Sequence, residues 1–216
     1  MITTQELIDK VAFLVNEPGN DSAITLLSED TRSLSDTIYE LLPDAVMSVQ
    51  NSKHCGVLNP KIHTATDSDI TDNGEGCVTI VLPNDFVSLI ELRLKGWARP
   101  CTTVEPPASP LALAQSNANT RGGCCKPVCV EGVNSAGLRV VNCYSLPPGV
   151  APVVENFVYE ALFDPQAGLS CLQWGPLVWA VVYQCAALLY NVFEKYDAAN
   201  SFMAIAASWC KNGKTE

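Results

Sequence analysis

Histidine is nearly absent from this chain. Its two copies, His54 and His63, fall in one irregular stretch with no GxSxG or Cys-His signature around them, so a histidine-assisted nucleophilic enzyme has little to build on. There is no Walker A loop and no GxGxxG, which removes the usual support for nucleotide binding. Basic residues are scarce and unclustered: thirteen Lys and Arg stand against twenty-three Asp and Glu, for a net charge of -10. That balance is wrong for a protein that grips nucleic acid by its phosphates. The N-terminal MITTQELIDK lacks the basic and apolar regions of a secretory signal, so the expectation is folding in a cytoplasm. The ten cysteines, unevenly spaced, then read as reduced small hydrophobes with no disulfide framework.

What the chain does have is a long apolar run at residues 174–194, WGPLVWAVVYQCAALLYNVFE. It is apolar on nearly every side, with Pro176 suited to the first helical position. Tyr183, Gln184, Tyr190 and Asn191 interrupt it and no cationic cluster flanks it, so it reads as a buried core helix without membrane association.

The remaining elements follow in order. Thr3 and Glu6 form a capping box opening a helix with Leu7, Val11, Leu14 and Val15 on one face. Residues 22–27 are ambiguous between a strand and a helical turn. A second helix runs from about Ser33 to Ser52, with Pro43 inside it predicting a kink or a split. Residues 51–76 read as an acidic surface loop; its TDSDITDNGEG fails as a calcium loop, because the twelfth position is Ile80. Strands are predicted over 77–83, 86–104, 126–133, 138–145 and 153–163, with a short helix after Ser109-Pro110. Asp197 is the expected N-cap of a last helix carrying Phe202, Ile205, Ala206 and Trp209 on one face.

The fold expected is α+β: N- and C-terminal helices forming one helical body, with an antiparallel β-strand meander inserted between them. The divisions are 1–76, 77–163 and 164–216. The acidic field is concentrated before residue 76, where thirteen acidic residues meet four basic ones.

Two groups bear on function. Cys124, Cys125 and Cys129 lack zinc-site spacing and read as structural thiols, so neither metal nor cofactor is expected. Arg93, Lys95, Trp97 and Arg99 share one face by strand parity, and Trp with Arg on a solvent face resembles a binding hot spot. A bulge at Gly96 would instead send Trp97 into the core.

VLPNDFVSLIELRLKGWARP, followed by a polar helix, a hairpin, YSLPPG and two closing helices, resembles the head-to-tail adaptor or connector proteins of tailed bacteriophages, in particular the crAss-like short-tailed kind. Leu82-Pro83, Asp85-Phe86, Leu89, Leu92, Leu94, Gly96-Trp97, Arg99-Pro100 and Tyr144 to Gly149 carry the likeness. The resemblance implies a non-enzymatic virion protein at the neck, assembled in the host cytoplasm. Its copies, commonly twelve, would form a ring that binds the portal protein, receives the next tail component and passes DNA as cargo only. A small intracellular cysteine-dependent enzyme is the alternative.

Overall fold

The structure is a computed structural model and describes residues 2–15, 33–52, 58–117, 119–164, 169, 172, 175 and 177–212. Among these the helices are α1 (Thr4–Val15), α2 (Leu34–Asn51), α3 (Pro110–Ala114), α4 (Leu177–Val192) and α5 (Tyr196–Asn212). The strands are β1 (Pro60–Ile62), β2 (Ile70–Asp72), β3 (Val78–Val81), β4 (Phe86–Leu94), β5 (Val104–Glu105), β6 (Cys129–Val133), β7 (Arg139–Cys143) and β8 (Val154–Ala161). The class is α+β, with two units: Met1–Asn59 together with Leu162–Glu216, and Pro60–Ala161.

Capping and apolar spacing build the helical unit. Thr3 N–H donates to Glu6 Oε2 at 2.8 Å and Glu6 N–H to Thr3 Oγ1 at 3.2 Å, so two otherwise orphaned donors are satisfied where α1 begins. Ser33 and Asp36 repeat the device at α2. α2 then continues through Pro43 as one element, held by Leu42, Ala45 and Val46, all fully buried. α4 buries residues on every side, among them Val181, Cys185 and Leu189, and packs against α1, α2 and α5. No helix among the described residues is long and apolar enough to cross a membrane. The turn out of α4 places Glu194 at φ 58, and Lys195 N–H reaches back to Tyr190 O at 2.9 Å. α5 consequently starts at Tyr196, and Asp197, the expected cap, lies inside its first turn. Ile205 is exposed on α5 rather than packed, whereas Phe202 stacks on Tyr190 and Trp209 on Trp179 at centroid distances of 5.2 and 6.4 Å.

The strand unit departs from a meander. β1-β8-β4 form one sheet and β2-β3-β7-β6-β5 another, so the strands on either side of Asn84-Asp85 belong to different sheets. Pairing is antiparallel throughout except for β5 and β6, which run parallel. The stretch expected as one strand over 86–104 ends at Leu94 and resumes as β5. Residues 60–76, assigned by the sequence to the N-terminal loop, supply β1 and β2 instead, moving the boundary from 76 to 59. Both are three-residue strands without buried side chains, so they carry no period-two signal to read. At Gly76, φ is +72 and a Cβ would lie 2.6 Å from Leu146 O, while Leu146 N–H donates to Gly76 O at 3.0 Å. Only glycine permits that close approach. Residues 22–27, His54 and Pro176 lie outside the described residues.

Candidate partner-binding surface

β4 carries Arg93 and delivers the chain to a tight loop that carries Lys95, Trp97 and Arg99, the other three residues singled out in the sequence. Leu92 and Cys101 exchange both backbone bonds at 2.8 Å and close it. At its apex Gly96 has φ +90, and Trp97 N–H donates to Leu94 O at 3.0 Å. This turn breaks strand parity, and Trp97 is only 2 % exposed, packed in the core with Leu92, Leu94 and Leu146. Its placement on the solvent face is therefore corrected: the chain reverses at Gly96, so alternation no longer applies. Arg93 at the end of β4 and Lys95 and Arg99 on the loop do remain exposed, with Arg93 Nε 3.3 Å from Glu155 Oε2. Trp97 acts as the peg beneath a basic loop.

The acidic side of the chain lies mostly on the other unit. Residues 60–161 carry ten acidic and seven basic side chains, and the remainder thirteen and six. On α2, Asp36, Glu40 and Asp44 fall at intervals of four, all exposed, and the helix contains no Lys or Arg. Like charges so placed destabilise a helix by a few tenths of a kcal/mol per pair, about 0.2–0.5. Sequence spacing alone could have revealed this stripe. A second feature, unmarked in the sequence, is a groove of about 690 Å³ lined by Ile2, Phe13, Leu14, Trp179 and Tyr183 with Glu6, Asp9 and Lys10. Lys10 Nζ sits 4.8 Å from the Trp179 ring centroid, a cation–π contact.

A polar cluster around Asp85 has a structural character. Asp85 Oδ2 lies 2.7 Å from Lys61 Nζ, and Asp85 Oδ1 accepts the Tyr159 hydroxyl at 2.8 Å. Burial raises the Asp85 carboxyl, but the bonds from Lys61 and Tyr159 outweigh it and leave the group below the usual aspartate range. Burial, then the carboxylate, push Tyr159 up to about 12 from 10.0. His63 packs edge-on to Phe157 and Tyr159, at centroid distances of 5.3 and 6.4 Å. Because the folded Tyr159 pKa is raised, its contribution to stability is complete below pH 10 and is lost as pH rises through about 12. Thermal melts across that window should fall more steeply for the parent than for Tyr159→Phe; equal slopes would refute the bond's role.

Cys124, Cys125 and Cys129, close in sequence, differ in burial. Cys125 is exposed and Cys124 half-buried, while Cys129 is buried and hydrogen-bonded to Cys101 and Cys143. Cys129 and Cys143 are opposed in the β6–β7 hairpin, so register, rather than sequence spacing, was the signal for this trio. No group of three or more metal-ligating side chains with suitable geometry occurs among the described residues. Cys210 on α5 is disulfide-bonded, which overturns the expectation of free thiols throughout. That expectation rested on the composition of the N-terminal stretch, which says nothing of which cysteines the fold brings together. No protein-family model matches the chain, and no curated protein is similar to it.

Proposed function

We propose that this protein is a structural virion component, a ring-forming connector between the portal and the tail. The observation that carries the reading is the architecture. Helices from both ends of the chain close into one unit, strands are inserted between them, and the motifs of the resemblance fall in the strand unit and in the α4–α5 hairpin. The acidic stripe on α2 supports it: three carboxylates at helical spacing with no basic residue between them suit a wall that DNA passes without sticking. Arg93 and the basic loop carrying Lys95 and Arg99 supply an opposite charge for a neighbouring copy or the portal.

The alternative, a cysteine-dependent enzyme, requires a thiolate. The Cys77 thiol is pushed up chiefly by burial and Cys185 by burial alone, to about 12. Hydrogen bonding to Cys129, then burial, raises Cys101. These thiols are protonated at neutral pH.

The test mixes purified protein with a portal protein of the crAss-like kind and follows ring formation by electron microscopy and sedimentation. Rings should form on the portal. Arg93→Glu, Lys95→Glu and Arg99→Glu combined should leave the melting temperature within a few degrees of the parent and abolish docking, because rim charge reversals act on association rather than on the core. Normal docking by that variant would remove the loop from the interface; a monodisperse parent monomer that never binds portal would remove the connector reading.

A further inference from the structure

We infer that Cys129 and Cys143 are a latent cross-strand disulfide, a modification site at which a peroxide can covalently join the two arms of the β6–β7 hairpin. The inference is independent of the connector reading. Cys129 stands directly opposite Cys143 in antiparallel register. Tyr144 N–H donates to Val128 O at 3.1 Å and Asn134 N–H to Leu138 O at 3.0 Å, so hydrogen-bonded pairs fall at even positions of β6. Cys129 and Cys143 are therefore a non-hydrogen-bonded pair. Side chains in such pairs approach most closely, with Cα atoms about 4.5 Å apart, inside the range of about 4.4–6.8 Å that a disulfide spans. The two Sγ atoms already lie 3.8 Å apart, and both residues are fully buried. Closing the bond requires side-chain rotation and little backbone movement.

The third thiol of the cluster does not share this geometry. Cys101 contacts Cys129 but is paired across the backbone with Leu92, and its own thiol donates to Thr103 O at 3.1 Å. It is a neighbour of the pair rather than a cross-strand partner.

The reaction balances with hydrogen peroxide as oxidant. One cysteine, as thiolate, attacks a peroxide oxygen; the O–O bond breaks, a sulfenic acid forms and the displaced oxygen leaves as water with the thiol proton. The second sulfur attacks the sulfenic sulfur, the S–S bond forms, the S–O bond breaks and a second water departs. Two thiols are oxidised and one peroxide is reduced to two waters. Full burial admits only a small oxidant, and the Cys129 thiol, which its bond with Cys101 lowers but the neighbouring Cys143 thiol and burial together push well up, yields little thiolate. The step is therefore slow and suits a gradual lock better than a fast sensor.

The experiment treats the purified full-length protein with hydrogen peroxide, alkylates the remaining thiols under denaturing conditions and maps crosslinked peptides by mass spectrometry. The expected product is a Cys129–Cys143 linkage that dithiothreitol reverses, that persists in Cys101→Ala and that disappears in Cys129→Ala. Mapping the parent protein decides the matter even if a variant fails to fold. Recovery of Cys129 and Cys143 alkylated after oxidation, their conversion to sulfinic acids, or a Cys101–Cys129 linkage in place of the predicted one overturns the proposal.

Discussion

Leu189→Asp is expected to unfold the helical unit. Leu189 is fully buried on α4, the helix on which α1, α2 and α5 all pack. The substitution removes the packing of a buried leucine, worth about 2–5 kcal/mol, and places an unpaired carboxylate in an apolar core. Those penalties together approach or exceed the roughly 5–15 kcal/mol by which a domain is stable. Val192→Asp on the same helix is the control, because Val192 is 58 % exposed and the change there should cost less than about 1 kcal/mol. Circular dichroism melts of the pair check this. If Leu189→Asp melts with its parent, α4 is not the centre of the unit.

The choice of position depends on structure. The apolar run at 174–194 identified a buried helix, yet a helix apolar on every side does not reveal which residue lies deepest. Leu188 and Leu189 look alike in sequence, but Leu188 packs only partly buried against the cluster that contains Leu189. The amphipathic helices were easier to read, because stripes such as Ile38, Leu42 and Val46 coincide with the buried face and the capping boxes mark the starts. Sheet membership was not legible. β3 and β4 follow one another across a turn that resembles a hairpin, but they do not pair: β3 lies between β2 and the distant β7, and β4 pairs with the distant β8. Nothing local specifies that choice; packing of the apolar faces of the two sheets into one cluster does.

The candidate surface was legible in part. Arg93, Lys95 and Arg99 are exposed, as charge alone suggests, and the sequence offered both outcomes for Trp97. Deciding between them needed the φ of Gly96, which glycine permits but does not dictate. The thiol cluster was hidden for a related reason: Cys101, Cys129 and Cys143 come from three separate segments, and the adjacent Cys124 and Cys125 drew attention to the wrong neighbours of Cys129.

Trp97→Ala should destabilise the strand unit by about 3–5 kcal/mol, the usual consequence of removing a buried aromatic side chain from a packed core. Trp97 is 2 % exposed, and its Nε1–H finds no partner among the described residues, so its contribution comes from packing rather than from hydrogen bonding. Trp97→Phe keeps much of the ring and deletes a buried donor without a partner, which offsets part of the smaller void. That variant should lose less than about 1.5 kcal/mol, as conservative core replacements do. Urea titrations followed by circular dichroism would measure both, since the substitutions alter indole fluorescence. The contrast also separates folding from docking: changes to Trp97 should act through stability, whereas reversing Arg93, Lys95 and Arg99 should act through partner binding. Parental stability in Trp97→Ala would put the indole back on the solvent face and restore it as a binding anchor.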